Sequence, residues 1–179
     1  MRFLALSLYL FTASVASAAQ SCEMSSIGAC ANTNALVWAK SFKPALLTFL
    51  DKRKVAWLGE RQAVARVTQE VLGGAPDDVA KVADGVLRFS AVRAQSALER
   101  GAIFIADTGT IKAIGVLHFN CATTCEKSYS LSIIAPLEDE KSAALVRAWG
   151  DEQMTLNKKN GLESDLTTIA HVEVLQNRD

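Results

Sequence analysis

Apolar positions recur along this chain first at helical spacing and then at strand spacing. Pro44 is tolerated in a first helical turn, and Leu46, Leu50, Trp57, Val64, Val67 and Val71 follow at helical intervals up to Gly73-Gly74. Arg53 and Glu60 interrupt that stripe, so a break is expected near residues 51–54. A shorter helix is expected ahead of it, over residues 36–42. Pro76, with Asp77 and Asp78 placing negative charge in a first turn, signals another helix. Val79, Val82, Val86 and Phe89 follow at i, i+3, i+7 and i+10, and Gly101 closes it as a C-terminal glycine. Residues 34–100 therefore read as mainly helical, with two long helices.

The period then changes. Residues 102–106 are apolar and rich in Ile and Phe, and Asp107-Thr108-Gly109 is a turn signal. Residues 111–119 are apolar on both faces, as in a central strand. Residues 128–134 alternate, Tyr129, Leu131 and Ile133 against Ser128, Ser130 and Ser132, and Pro136 ends the strand. Glu138, Asp139 and Glu140 open a helix whose apolar stripe is Lys141, Ala144, Leu145, Ala148 and Trp149, with Gly150 as its stop. A polar stretch over residues 151–165 contains an Asn160-Gly161 turn. The last strand, residues 167–175, puts Ala170, Val172 and Val174 on one face and Ile169, His171, Glu173 and Leu175 on the other. The expected fold class is α+β: an N-terminal helical layer packed on a small, mainly antiparallel sheet of about four strands with one inserted helix.

The front of the chain changes the picture. Arg2, an apolar run from Phe3 to Phe11, and small residues through Ala19 form the three parts of an export signal over residues 1–19. The apolar core falls short of the roughly 20 residues a membrane span needs. The residues before Cys22, Ala19-Gln20-Ser21, do not match a lipid-attachment motif. Residues 20–179 then form a single exported domain, periplasmic or secreted, with no stable membrane span after signal cleavage. The signal has a bacterial style.

Four cysteines in an exported chain argue for disulfides. Pairing Cys22 with Cys30 and Cys121 with Cys125 closes the shortest loops, each bridge contributing roughly 2–3 kcal/mol in the chain-entropy model. The spacers do not follow structural zinc sites, and Cys121-Ala-Thr-Thr-Cys125 is one residue longer than a thioredoxin-like motif. A clip across the loop between two strands would pin their ends.

Charge excludes little but narrows the partners. Lys plus Arg and Asp plus Glu are 19 each, and the basic runs at residues 52–54 and 158–159 are short, so no nucleic-acid partner is expected. No phosphate loop, dinucleotide fingerprint, Gly-x-Ser-x-Gly or His-Glu-x-x-His occurs, and no cofactor is expected.

Two places could carry catalytic chemistry. Phe104-Ile105-Ala106-Asp107-Thr108-Gly109-Thr110 resembles the catalytic Asp-Thr-Gly-Thr/Ser segment of aspartic proteases. The resemblance implies a carboxylate at Asp107 that shares a proton with a second one, and hence a homodimer. Ile133-Ile134-Ala135 stands where that family has an apolar pair and a glycine, and departs at the glycine. As sequence, Asp-Thr-Gly is equally a good β-turn. His118 and His171 lie on predicted strands; if those strands pair, the two rings share a face with Glu173 and could form a general-base site. His118, near Ile114 and Val116, otherwise reads as a core histidine, and His171 as a solvent-facing neighbour of Glu173 on an edge strand. Trp38, Trp57 and Trp149 fall on or near apolar stripes and are expected in the core; an exposed one would be a partner-binding anchor. The expected function is a non-catalytic exported binding protein: an inhibitor, immunity or accessory factor acting on another envelope or secreted protein. The alternatives are a periplasmic hydrolase using Asp107 or His118 and His171, and a structural component of an envelope assembly.

Overall fold

Asp84-Gly85 decides the architecture. A computed structural model describes residues 21–121 and 124–177, so the expected export signal at residues 1–19 lies outside the described residues. Gly85 adopts φ +65°, a conformation glycine enters without penalty, and turns the chain between strands β3 (Ala80–Ala83) and β4 (Val86–Val92). The helix expected from Pro76 onward is therefore a β-hairpin. Its apparent stripe divides between the two faces of the sheet: Val79 and Phe89 pack on one side, Val82 and Val86 on the other. Gly101 ends no helix; it lies inside β5 (Arg100–Ala106), where a Cβ would stand 2.4 Å from Val71 Cγ2.

The earlier helical stripe is also interrupted, and more widely than its charges suggest. Helix α1 (Thr33–Trp38), capped by the Asn32 side chain, and α2 (Phe42–Phe49) are followed by a small hairpin, β1 (Lys54–Val55) and β2 (Gln62–Ala63), and then by α3 (Val64–Leu72). Leu46, Leu50, Trp57, Val64, Val67 and Val71 are nevertheless all buried. Periodicity identified the core side chains while overstating the length of the helix carrying them.

Strands β6 (Ile111–His118) and β7 (Tyr129–Pro136) continue the antiparallel sheet. Helix α4 (Glu140–Lys159) then crosses back, and β8 (Ile169–Asn177) adds parallel to β7. The result corrects the expected architecture: a six-stranded mixed sheet in sequential order, plus a two-stranded one, with helices on both faces instead of a single N-terminal layer. One core joins α1, α2 and α3 to Phe89, Ile103, Ile105, Ile114 and Val116. The other joins Val146, Trp149 and Met154 of α4 to Phe104, Leu117, Tyr129, Leu131 and Ile133. Coverage on both sides is why residues 101–106 of β5 and 113–117 of β6 are apolar.

Gly150 does not stop α4. It sits on the helix's buried face, where a Cβ would meet Leu131 Cδ2 at 2.9 Å. The buried stripe is Ser142, Val146, Trp149, Gly150, Gln153, Met154 and Asn157, shifted from the expected one, and the helix runs on to an Asn160-Gly161 end with Gly161 at φ +74°. Asp139 caps the start, its side chain accepting from the Ser142 amide at 3.0 Å. The register of β8 shifts between its first and third residues, so Ile169 packs under α4 whereas Leu175 packs on the opposite face.

Both local disulfides are formed, Cys22–Cys30 and Cys121–Cys125. The first encloses a short 3₁₀ segment (Met24–Ala29) that buries Met24 and Ile27. The second closes the β6–β7 loop. Among the described residues no helix is long and apolar enough to cross a membrane.

Candidate functional site

Strand parity builds the site. His118 is the last residue of β6 and pairs with Ser130 on β7, which in turn pairs with His171 on β8; Ser132 pairs with Glu173 one rung on. These side chains share the sheet face that α1, α2 and α3 cover elsewhere. The two histidine strands flank β7 and do not pair directly. Beyond the helices this end of the sheet is open, leaving a cleft of about 390 Å³ lined by Ala56, Trp57, His118, Asn120, Glu126, Ser130, Ser132, His171 and Glu173.

Its floor is a hydrogen-bonded row. His118 Nε2 lies 2.8 Å from Ser132 Oγ, Ser132 Oγ 3.3 Å from Glu173 Oε2, and the Trp57 indole N–H donates to that same oxygen at 3.2 Å. Trp57 and the His118 imidazole stack, ring centres 5.3 Å apart. His118 Nδ1 faces the Phe119 carbonyl at 3.3 Å. A neutral imidazole has one ring proton. With that proton on Nε2 the row runs from His118 to Ser132 and from Ser132 to Glu173; with it on Nδ1 the proton goes to the Phe119 carbonyl, and the Ser132 hydroxyl turns to Nε2. Ser132 is only 1% exposed and His118 3%.

The rim comes from the clipped loop. Cys121–Cys125 holds the chain so that the Glu126 amide donates to the Asn120 carbonyl at 2.9 Å, and the Asn120 amide group reaches Glu126 Oε1 at 3.3 Å. Glu126 Oε2 then stands 3.6 Å from His171 Nε2, both largely in solvent. Among the described residues no three His, Cys, Asp or Glu side chains are arranged to hold a metal ion.

Burial holds the His118 pKa below its ordinary 6.5, against the opposing pull of the Phe119 carbonyl and the Glu173, Glu99 and Glu126 carboxylates. The consequence for stability has a definite sign. Well above pH 6.5 the imidazole is neutral whether the chain is folded or unfolded. As pH falls below 6.5 the unfolded chain takes up a proton that the folded one resists, so stability declines until the folded imidazole is itself protonated. Urea midpoints measured between pH 7.5 and about pH 5, above the range of carboxylate protonation, should fall for the native chain and stay flatter for His118→Gln. Parallel profiles would exclude a buried neutral imidazole.

Asp107 is nowhere near this cleft. It occupies the exposed turn at the opposite end of β6, roughly 24 Å away at about 3.4 Å per residue. Its amide donates to the Gly85 carbonyl at 2.7 Å, and its carboxyl lies over Gly85. Gly109, at φ +85°, lets the turn press against the Met24 carbonyl.

Sequence alone brings the histidines together with Glu173, but it gives Ser130, Ser132 and Glu126 no place in a site and Trp57 a place only in the core or as a partner anchor. A signal for the serines was present: in a strand whose other face is apolar, small polar residues mark where the second covering layer ends. Trp57 and Glu126 reach the cleft from a hairpin connection and a clipped loop, which no periodicity places. Trp57 and Trp149 are buried as expected; Trp38, expected in the core, is 85% exposed at the end of α1. No family model matches this chain, and neither curated proteins nor solved structures yield a match.

Proposed function

We propose that this chain is an exported, non-catalytic binding protein that acts on another envelope or secreted protein. The observation that carries the reading is Trp38. Two of the three tryptophans are at most 7% exposed, while Trp38 stands 85% in solvent on a helix whose Thr33 and Leu36 are fully buried. Its exposure therefore does not come from a loosely packed helix. A rigid indole in water is the kind of side chain that anchors a partner, since tryptophan dominates binding hot spots. Leu47, on the neighbouring α2, is also 55% exposed. Export is supported by the apolar front of the chain with its small-residue end and by the two disulfides.

The test is affinity capture from a periplasmic extract with the mature chain and with Trp38→Ser. Trp38 contributes little to the core, so the variant's urea midpoint should correspond to a stability within about 0.5 kcal/mol of the parent. A specific partner should be retained by the parent and bound about 30-fold or more weakly by the variant, the size of a hot-spot loss. An unchanged bound set would sink this reading.

The cleft favours one rival reading, a hydrolase with His118 as general base. That reading requires the Ser132 hydroxyl or a water to meet substrate at a floor where Ser132 and His118 are already bonded to each other and covered by Trp57. Turnover by the purified chain that disappears in His118→Ala would establish it.

A further inference from the structure

The cleft has a charge of its own, independent of Trp38. Its nine lining residues include Glu126 and Glu173 and no lysine or arginine, in a chain whose acidic and basic residues balance at 19 each. One carboxylate stands on the rim and the other at the floor. Burial lowers the His118 pKa and so favours its neutral form, and the other imidazole of the lining, His171, stands at the rim 3.6 Å from Glu126 Oε2. Glu173 spends Oε2 on Trp57 and Ser132, and among the described residues no hydrogen bond engages Oε1.

A second observation points the same way. Ser130 is 7% exposed and lines the cleft, yet its hydroxyl takes part in no hydrogen bond among the described residues. A hydroxyl set this deep, opening onto a cavity between two carboxylates, has its acceptor lone pairs left for water or a ligand donor on the cavity side. Apart from the His171 imidazole and the Asn120 amide N–H, which both face Glu126, the outward-facing polar atoms are mainly acceptors: carboxylate oxygens, the Ser130 hydroxyl and Asn120 Oδ1. Acceptors converging from two strands and a clipped loop fit a donor-rich cation. At about 390 Å³ the space suits one side-chain-sized group.

We infer that this cleft binds a guanidinium or primary ammonium group, presented by a small free amine or by a basic side chain of a protein. A guanidinium can bridge one carboxylate with two parallel N–H bonds and still direct donors to Ser130 and Asn120; an ammonium offers three donors as a point charge. The disulfide-closed loop sets the distance between Glu126 and the floor, so the oxidised clip belongs to the site's shape.

The experiment titrates the mature chain with agmatine, with cadaverine, with a blocked arginine-containing tripeptide and with acetate, following the Trp57 indole N–H and the His118 ring by NMR. Saturable shifts are expected for the cations and none for acetate. Glu173→Gln and Glu126→Gln should each weaken binding about tenfold, one charge-assisted contact being lost, while Trp38→Ser leaves it unchanged. Glu126 lies at the exposed rim, so its variant remains folded and informative even if Glu173→Gln is destabilised. Binding of the free amines assigns a small-molecule cation; saturation by the tripeptide alone assigns a protein side chain. No saturable shift with any cation, equal binding of acetate, or binding indifferent to both glutamine variants overturns the inference.

Discussion

Gly109→Ala is expected to destabilise the fold by about 2–4 kcal/mol, from about 1 for a left-handed alanine and 1–3 for overpacking. Gly109 sits at φ +85°, and a Cβ there would lie 1.9 Å from the Met24 carbonyl oxygen and 2.7 Å from its carbon. Backbone cannot rotate aside as a side chain can. The Met24 segment is also held on three sides: its amide donates to Ser41 Oγ at 2.8 Å, Glu23 is bonded to the same serine, and Cys22–Cys30 closes the loop around it. Either the turn or the whole stapled segment must move. Urea denaturation measures the loss, and a double-mutant comparison separates its origin. If the clash is with the stapled segment, replacing Cys22 and Cys30 by serine lets the segment yield, and the alanine penalty shrinks in that background. Asp107→Ala, two residues away and exposed, should alter stability by no more than about 0.5 kcal/mol. A loss below about 0.5 kcal/mol for Gly109→Ala would show that the N-terminal segment does not rest on this turn.

That contrast bears on the resemblance to aspartic proteases. The glycine of Asp-Thr-Gly has a local reason to be here: positive φ and a backbone contact. The aspartate starts a tight turn between β5 and β6, whose closing bonds run from the Ala106 amide to the Thr110 carbonyl and from the Gly109 amide to the Ala106 carbonyl, both 2.8 Å. Turn chemistry is enough to account for the motif's residues.

What the sequence disclosed follows from which interactions are local. Residues 102–136 were legible as strands because their apolar runs and alternation reflect a sheet covered on both sides, and the turn residues between them are specific. Residues 76–100 were misread because valines at i, i+3 and i+7 fit a helix and a hairpin alike; Asp84-Gly85, the stronger local signal, outweighs Pro76-Asp77-Asp78 once β4 can pair with β5 over its full length. Gly150 was misread for a different reason. A glycine that permits close helix–strand packing looks the same in sequence as one that ends a helix, and only the partner, Leu131, distinguishes them. The parallel addition of β8 depends on α4 being long enough to cross back, so shortening the helix at Gly150 also hid the mixed sheet. At the site, the strand residues His118, His171 and Glu173 were legible because parity is local, whereas Trp57 and Glu126 come from connections whose course is set by tertiary contacts.

Trp149→Ala is expected to be the costliest single change, about 3–5 kcal/mol, as for other buried tryptophans truncated to alanine. Trp149 is 1% exposed and lies against Gly115 of β6, where a Cβ would be 3.0 Å from its Cζ3. Glycine on the strand and tryptophan on the helix are therefore one packing unit, and truncation leaves a cavity that neither element can close alone. The same site offers a control. The indole N–H is buried and meets no acceptor among the described residues. Trp149→Phe removes that donor and only part of the ring volume, so its cost should stay well below that of the alanine variant, at about 1–2 kcal/mol. The two variants, compared by urea denaturation, separate volume from polarity: similar losses for both would mean that the N–H has a partner and that the cavity is not the cause. The consequence reaches the cleft. Helix α4 joins β7 to β8, and β8 carries His171 and Glu173, so loosening α4 frees the strand that supplies one wall. Cation affinity in Trp149→Ala should fall as the folded fraction falls, with the bound-state shifts of Trp57 and His118 unchanged. Affinity lost while the chain remains folded would mean instead that α4 sets the position of β8 through the intact sheet.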